Sequence, residues 1–412
     1  MPLSPPTEDP AQAPRERSGT APFDAAARAS SDARLLVVSH PSVVSVNQEV
    51  YRELMRRGWQ LEIVLPSRWR SEYDQRDFYP QVLSGMEQTL LREPVALRGH
   101  PQRHFYLARC RAIAARFRPD VAFLEAEPFS FAATQWSLAL ARLGVPFGVQ
   151  CAENIDRHLP APVRWMRSRV LRRAAFVAAR SESAGRLARA WGARGEVELS
   201  PHAVPDWGPA PAIADGVHGQ GGAHDEGAGS RPFTIGYAGR LVASKGLTDL
   251  LAAVRLLVEP VELLLIGDGE LRGELEGQSI PGSSVRVLDD LSHEQMAAGY
   301  AQLDVLALPS LTTPTWKEQF GRVIVEALWC GVPVVGSDSG EIPWLIELTG
   351  GGLTFPEGDA EALAERLRRL RADPALRERL AEAGRAKVEQ LFTVSAATDP
   401  LERLLEHAAR RS

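Results

Sequence analysis

The sequence predicts an α/β protein made of two domains, each a parallel sheet covered by helices on both faces. Two observations lead to this prediction. Short apolar runs rich in β-branched residues alternate with segments of helical period, and this alternation occurs twice along the chain. With 412 residues, the chain is also too long for one ordinary domain. Ligands are expected at the carboxyl ends of the strands and in the cleft between the domains.

The first series of elements defines a domain predicted to span residues 33–206. Its helix at 47–58 ends at Gly58, a residue that favours helix termination. Its predicted strands are 34–39, 60–66, 120–128, 145–151 and 174–181.

A Gly-, Ala- and Pro-rich stretch at 207–231 interrupts the pattern and is predicted to be a flexible linker. The second series then defines a domain predicted at 232–391, and a C-terminal helix at 392–412 is expected to return to the first domain. The strands of this second series are predicted at 233–240, 261–270, 284–290, 304–310 and 332–338.

The composition, with 44% apolar and 24% charged residues, is that of a globular protein. Three scattered cysteines, Cys110, Cys151 and Cys330, favour reduced thiols in a cytoplasmic protein over a disulfide framework or a zinc site. No apolar run approaches the ~20 residues of a membrane span. Residues 1–32 lack the apolar segment of a secretion signal, and their Pro, Ala and Ser content predicts a disordered tail.

Positive charge is distributed unevenly along the chain. Residues 33–200 contain 25 Arg against 16 Asp and Glu, although the whole chain has a net charge of −5. The first half is therefore expected to meet an anionic partner. Nucleic acid is not indicated, because zinc-finger spacing, an aromatic RNA-binding signature and a basic tail are all missing from the sequence. The chain has only three lysines, and one of them, Lys245, lies in "GRLVASKG".

The residues around Lys245 form the first candidate site. The predicted strand "TIGYAG" ends in Gly239, and Arg240 and Lys245 follow before a helix. A guanidinium and an ammonium at this spacing, beside a helix N-terminus, suit a diphosphate. The residues alone fit a solvated turn with two cations equally well.

A second glycine-bearing turn, "IGDGE", follows the next strand and contains Gly267 and Gly269. It lacks the dinucleotide fingerprint, because the third glycine, Gly273, is misplaced. A turn lying against a nucleotide base is therefore favoured. The sequence has neither a phosphate-binding P-loop nor an Asp-x-Asp pair, so no metal site is predicted.

Two glutamates eight residues apart form the most specific signal. Glu318 is expected at the mouth of the predicted helix "FGRVIVEALWCG", and Glu326 about two turns along it. A carboxylate accepts hydrogen bonds from two hydroxyls at once, which suits the vicinal diols of a ribose or hexose. The alternative is a capping acid followed by a solvated helix glutamate, but the helix is too apolar for an ordinary surface helix.

Together these segments resemble the family 4 glycosyltransferases. "KEQFGRVIVEALWCGVPVVGSDSGEIP" is similar to the E-x(7)-E block of that family, and "YAGRLVASKG" to its diphosphate-binding loop. The resemblance covers the second domain closely and the first loosely. It implies a GT-B fold, in which two Rossmann-like domains face each other across a cleft. It also implies a retaining, metal-independent transfer of a sugar from a nucleotide donor, without any other cofactor.

The resemblance also implies roles for individual residues. Arg240 and Lys245 would bind the diphosphate and stabilise the leaving group. Glu318, together with the backbone near Phe320, Gly321 and Arg322, would hold the donor sugar. Glu326 would hold the ribose. Gly239, Gly267 and Gly269 would border the donor, for which a UDP-sugar is expected.

The first domain departs from the family at the place where relatives carry a histidine beside the reacting sugar. This chain has "QCAENIDRH" there, so Glu153 and Asn154 are the candidates to replace it. His40 and Asn47 in the first loop, and Glu125 in "EAEP", are further acceptor-side candidates. Solvated or structural roles remain open for all of these residues.

The acceptor class is open at this point: a glycan, a lipid-linked sugar or a small metabolite. The basic helix predicted at 162–173 contains five arginines and Trp165, and it suggests a peripheral contact with an anionic membrane at its cytoplasmic face. An ordinary arginine-rich helix packed by one face is the alternative. Two other functions share the fold, a non-catalytic nucleotide-sugar-binding protein and a nucleotide-sugar epimerase.

Overall fold

The structure, a computed structural model, describes residues 33–71, 76–207, 231–288 and 291–411. The predicted tail at 1–32 and nearly all of the predicted linker at 207–231 lie outside these ranges. The strands are β1 Arg34–Ser39, β2 Gln60–Pro66, β3 Trp69–Arg70, β4 Asp77–Phe78, β5 Leu90–Glu93, β6 Val95–Ala96, β7 Phe105–Tyr106, β8 Val121–Glu125, β9 Phe147–Cys151, β10 Phe176–Ala179, β11 Glu196–Leu199, β12 Phe233–Ala238, β13 Val261–Ile266, β14 Ser284–Leu288, β15 Val305–Leu308, β16 Val334–Ser337 and β17 Gly352–Phe355.

The helices surround these strands. They are α1 Glu49–Arg56, α2 Cys110–Phe117, α3 Phe131–Ala141, α4 Ala161–Arg173, α5 Glu182–Ala190, α6 Leu247–Arg255, α7 Arg272–Glu276, α8 His293–Tyr300, α9 Arg322–Trp329, α10 Ile342–Thr349, α11 Ala360–Ala372, α12 Pro374–Leu391 and α13 Val394–Ala409.

Two parallel sheets form the framework, which confirms the predicted fold class. The first has the order β11-β10-β9-β8-β1-β2-β5 and the second the order β14-β13-β12-β15-β16-β17. Every pairing within these two sheets is parallel. Their central strands are buried over nearly their whole length, because helices cover both faces; this explains the continuous apolar runs in the sequence.

The predicted strands agree with the structure in position but most are shorter. β1 and β2 have the predicted bounds, whereas predicted strand 120–128 is reduced to Val121–Glu125. The strands β5, β11 and β17 were not predicted. All three lie at or near sheet edges and are only partly buried, so they lack the apolar runs that mark the central strands.

The C-terminal helix packs against the first sheet. Leu401, Leu404 and Leu405 of α13 belong to the same hydrophobic core as β1 and β8. The two segments that cross between the sheets run side by side, since Val204 N–H donates to Phe392 O at 2.7 Å. Trp207, the first residue of the predicted linker, packs against the second core and donates to His293 O at 2.6 Å. We retain the predicted domain bounds as a proposal.

The three cysteines are free thiols, and two of them, Cys110 and Cys151, are buried. Among the residues that the structure describes, we find no helix with the length and apolar character needed to cross a membrane.

Candidate functional site

A cleft of about 810 Å³ opens at the carboxyl ends of β12 and β13, beside the first turns of α9. Three separate sequence motifs contribute predicted residues to it: Gly239, Arg240, Gly267, Gly269, Arg322 and Glu326. Because carboxyl ends of parallel strands meet at one edge of a sheet, residues from distant motifs converge there.

The glycine-bearing turns are packed backbone against backbone. Gly267 has a φ of +142°, and a Cβ at this position would lie 2.0 Å from the carbonyl oxygen of Gly239. No larger residue fits without moving one of the two loops. The close approach leaves the floor of the cleft free of side chains at this point.

Lys245 and Glu318, the two charged residues assigned to catalysis beside Arg240, form an ion pair. Lys245 Nζ lies 2.7 Å from Glu318 Oε2, and 4.3 Å from the centre of the Trp316 ring. Ser310 Oγ donates to the same carboxylate oxygen at 3.1 Å. The structure therefore brings together two residues 73 positions apart in the sequence, and the face of the half-buried Trp316 ring supports the ammonium.

The helix after Glu318 is shorter than predicted. It was expected to include Phe320 and Gly321, but α9 begins at Arg322, and Gly321 caps it with a φ of +79°. Glu318 thus lies in the turn before the helix. The side chain of Phe320 is buried against the rings of His202 and Phe392, so only its backbone is available to a ligand.

Glu326 lines the cleft but is almost fully buried. Its carboxylate accepts hydrogen bonds from the Tyr300 hydroxyl at 2.7 Å and from Arg322 Nε at 3.1 Å. Burial and the neighbouring Glu326 charge raise the pKa of Tyr300 well above its usual value, so its hydroxyl stays protonated and donates. The sequence did not reveal Tyr300, because nothing in the run "AAGYAQ" distinguishes a buried partner from a core tyrosine.

Two of the acceptor-side candidates reach the second domain. Asn154 Nδ2 donates to the main-chain oxygen of Glu318 at 2.7 Å, and Asn47 Oδ1 accepts from Arg322 at 3.4 Å. The loop after β9 and the loop after β1 thus meet the E-x(7)-E segment directly. These contacts place Asn154 beside Glu318 and Asn47 beside Arg322.

His40 is packed in an aromatic cluster. Its ring lies 5.3 Å from that of Trp69 and 5.0 Å from that of His104. Burial, followed by the proximity of His104, lowers its pKa well below the usual value. The ring is therefore neutral, and this environment favours a structural role over acceptor binding.

Glu125 and Glu153 are held by internal partners. Glu125 accepts from Ser39 and Tyr51, each at 2.6 Å, and pairs with Arg180 at 2.9 Å. Glu153 Oε2 pairs with Arg157 at 2.7 Å, and its other oxygen accepts from a backbone amide. Both carboxylates are buried, so the geometry favours structural roles for them.

Glu127, the second acid of "EAEP", has a more unusual environment than Glu125. Its Oε1 accepts from the backbone amides of Ala152 and Glu153 at 2.7 and 3.1 Å. Burial raises the pKa of its carboxyl to about 7. Glu127 therefore fixes the loop that carries Asn154. The sequence places two acids at the end of this strand, but it does not reveal which of them holds the loop.

Metal ligation has no candidate cluster in the described ranges, where no three His, Cys, Asp or Glu side chains converge on one point.

The fold and the cleft define a GT-B type protein. Sucrose-phosphate synthase from Thermosynechococcus elongatus is similar over 92% of this chain and all of that chain, with a TM-score of 0.69 and 18% identity. HepE from Anabaena in complex with UDP is similar over 91% of this chain and all of that chain, with a TM-score of 0.67 and 18% identity. Likeness at this level of identity establishes the fold.

The family follows from the sequence. Residues 224–387 match the domain described as glycosyl transferases group 1, and residues 43–201 match the glycosyl transferase 4-like domain. The two matches together cover most of the chain, which therefore belongs to the glycosyltransferases that these two domains characterise. Among curated relatives, the amylovoran biosynthesis glycosyltransferase AmsK of Erwinia amylovora is 34% identical over 186 residues. That match covers 43% of this chain and 46% of AmsK, so the aligned region spans about half the length of the relative.

Proposed function

We propose that this protein is a retaining, metal-independent glycosyltransferase that moves a sugar from a nucleotide diphosphate donor, a UDP-sugar, to a hydroxyl acceptor. The observation that carries the proposal is the convergence of Gly239, Arg240, Gly267, Gly269, Arg322 and Glu326 on one cleft. The Lys245–Glu318 pair, with its 2.7 Å contact, supplies a further cation from the turn after β12 and a carboxylate from the loop after β15.

The diphosphate would lie between Arg240 and Lys245. An ammonium has three N–H donors, and Glu318 occupies one of those of Lys245, so two remain for phosphate oxygens. As the bond between the sugar C1 and the diphosphate breaks, negative charge grows on the departing oxygen. Fixed cations at that point stabilise the transition state more than the ground state. This electrostatic role is what makes a metal ion unnecessary in the proposed reaction.

The sugar would lie against the backbone at the start of α9, near Glu318. The acceptor oxygen then bonds to C1 on the face that the diphosphate leaves, and its proton passes to a departing diphosphate oxygen. Glu326 would hold the ribose, with its carboxylate oriented by Tyr300 and Arg322. UDP as the donor nucleotide is supported by the UDP complex of the similar Anabaena structure.

The acceptor would approach from the first domain. Asn154 and Asn47 lie at the junction with the donor side, and we assign them to the acceptor region. AmsK, as its name states, acts in amylovoran biosynthesis, which favours a growing glycan or lipid-linked sugar as acceptor. A peripheral contact of residues 162–173 with an anionic membrane at its cytoplasmic face is part of the same proposal.

The first test is donor binding, measured as a thermal shift with UDP-, GDP- and ADP-sugars. A ligand that binds the native state at about 100 times its Kd adds about 2.7 kcal/mol to stability. We expect a rise in Tm with the UDP-sugars and its loss in Glu326→Ala. Because Glu326 is buried, Glu326→Gln serves as the matched variant, since its amide oxygen still accepts from Tyr300.

Three outcomes separate the alternatives. A shift with the wild type and loss in both Glu326 variants supports the donor site, and the release of free UDP over time then supports a transferase. Binding without UDP release would favour the non-catalytic nucleotide-sugar-binding protein, and a changed sugar that stays attached to UDP would favour the epimerase. No shift with any of the donors for a folded protein would contradict the proposal.

A further inference from the structure

An apolar surface lies on the first domain, outside the cleft. The hairpin strand β7 exposes Phe105, and Leu107 follows on the same side, whereas Tyr106 between them is buried. Leu107 is 61% exposed. Single exposed apolar residues are ordinary, so Phe105 and Leu107 indicate a binding surface only if their neighbours are apolar as well.

Those neighbours form a shallow groove of about 300 Å³. Phe105, Phe131 at the start of α3 and Met166 of α4 line it, together with Thr134 and Gln135. We call the groove and the side chains that flank it the apolar face, namely Phe105, Leu107, Phe131, Trp165 and Met166.

The two polar residues of the groove have their polar atoms engaged elsewhere. Gln135 makes two hydrogen bonds to the backbone of Tyr106, at 2.9 and 2.7 Å, and the Thr134 hydroxyl donates to Ser130 O at 3.0 Å. Each of these polar atoms therefore already has a backbone partner. The groove therefore suits hydrocarbon better than any polar ligand.

Trp165 precedes Met166 on α4 and is 56% exposed. The guanidinium of Arg169, one helical turn further along α4, lies 5.3 Å from the centre of its ring. A tryptophan flanked by arginine combines an apolar body with a cation, which is the arrangement favoured at the boundary between hydrocarbon and lipid headgroups.

Five exposed arginines lie near the residues of the apolar face in sequence, and helix α4 contains no acidic residue. Within the ranges that the structure describes, none of the five pairs with a carboxylate. They are Arg103, Arg109, Arg164, Arg172 and Arg173. Their charge is complementary to an anionic surface.

The apolar face lies next to the acceptor region. Five residues separate the end of β8 from the start of α3, and α4 follows the loop that carries Asn154. Both helices therefore follow the carboxyl ends of β8 and β9, and the loop after β9 is the one in which Asn154 meets Glu318. A surface bound here would be close to the opening between the two domains.

We propose that the apolar face and the five exposed arginines dock on an anionic phospholipid bilayer, with a lipid hydrocarbon chain in the groove lined by Phe105, Phe131 and Met166. The docking itself does not depend on the proposed function. Its consequence does rest on that function: the acceptor would be presented from the membrane surface. Helix α4 alone does not form this surface; β7 and α3 supply half of it.

The test is co-sedimentation of the full chain with vesicles of phosphatidylcholine alone, or of phosphatidylcholine with phosphatidylglycerol. We expect binding to the anionic vesicles only, weakened by added salt. Arg172→Gln/Arg173→Gln should weaken it roughly 25-fold, since each arginine near such a surface contributes about a fivefold factor. Phe105→Ser/Phe131→Ser and, separately, Trp165→Ser should reduce binding strongly.

The matched controls are Val258→Ser, at a side chain that is 92% exposed on the other domain, and Arg379→Gln on α12. Both should bind like the wild type. Melting temperature and the UDP-sugar shift are measured on every variant, so loss of folding or of donor binding is separated from loss of membrane binding. No sedimentation of a wild type that binds UDP-sugar would overturn the inference, as would equal binding by the Phe105/Phe131 and Val258 variants.

Discussion

Lys245 shows how a single side chain is prepared for its proposed role. Its ammonium donates to Glu318 at 2.7 Å and lies over the Trp316 ring, so its position is fixed before any diphosphate arrives. Fixing a cation in advance lowers the cost of reorganisation when charge develops. An arginine fork would need a different geometry from the carboxylate and ring that hold this ammonium.

Replacing Lys245 with Ala is expected to lower the rate of UDP release from the UDP-sugar about 10²- to 10³-fold, with a smaller effect on donor affinity. Release in the absence of acceptor is the assay, because it needs no knowledge of the acceptor. Lys387→Ala is the control: this lysine is half-buried on α12, and its ammonium donates to Gln390 at 3.0 Å. Near-normal turnover of the Lys245 variant would remove the residue from the proposed mechanism.

At the scale of elements, the first domain depends on a helix from the far end of the chain. Arg57 lies just after α1 and binds Glu53, Asp399 and Glu402, each within 2.8 Å. Its side chain is only 10% exposed, and Glu402 is more buried still. This buried cluster fixes α13 against α1, while the leucines of α13 complete the core.

The adjacent residues Arg56 and Arg57 give a matched pair for testing this junction. Arg57→Ala should cost about 3–5 kcal/mol in the free energy of unfolding, because it leaves buried carboxylates without their cation. Arg56→Ala should cost at most about 1 kcal/mol, because Arg56 is 75% exposed although it also pairs with Glu53. Denaturant unfolding measures both. Equal losses in the free energy of unfolding for the two variants would show that burial of the cluster does not contribute to stability.

For the whole molecule, buried histidines predict sensitivity to acid. Burial lowers the pKa of His104 to about 4, and the pKa values of His40 and His202 are also well below the usual value. Between pH 6.5 and 4 the unfolded chain binds more protons at these rings than the folded chain does. The free energy of unfolding that these neutral rings contribute is therefore lost as the pH falls through this range.

His104→Gln should weaken this loss, because glutamine takes up no proton in either state. We expect the variant to lose up to about 3 kcal/mol less stability than the wild type between pH 7 and pH 4. The carboxyls of Glu49 and Glu127, with pKa values raised to about 7, act in the opposite direction and are the same in both proteins. The exposed His407 provides the control variant His407→Gln. Parallel pH profiles for wild type and His104→Gln would contradict the prediction.

The fold was predictable from the sequence because parallel strands buried on both faces need continuous apolar runs, and β1 and β2 have them. The edge strands β11 and β17 were not predictable, since partial burial relaxes that requirement. The start of α9 was misplaced because Gly321 takes a left-handed conformation, which a run of apolar residues does not reveal.

The order of residues is enough to predict the two-sheet architecture, the family and its motifs, since each of these depends on short-range patterns. Only the three-dimensional arrangement shows which acidic residues have internal partners and which side chains, such as Asn47 and Asn154, meet the other domain. Glu125 and Glu127 stand two residues apart in "EAEP", yet one is bound by Arg180 and the other by two backbone amides. Such differences arise from burial and from partners distant in the sequence, neither of which local spacing encodes.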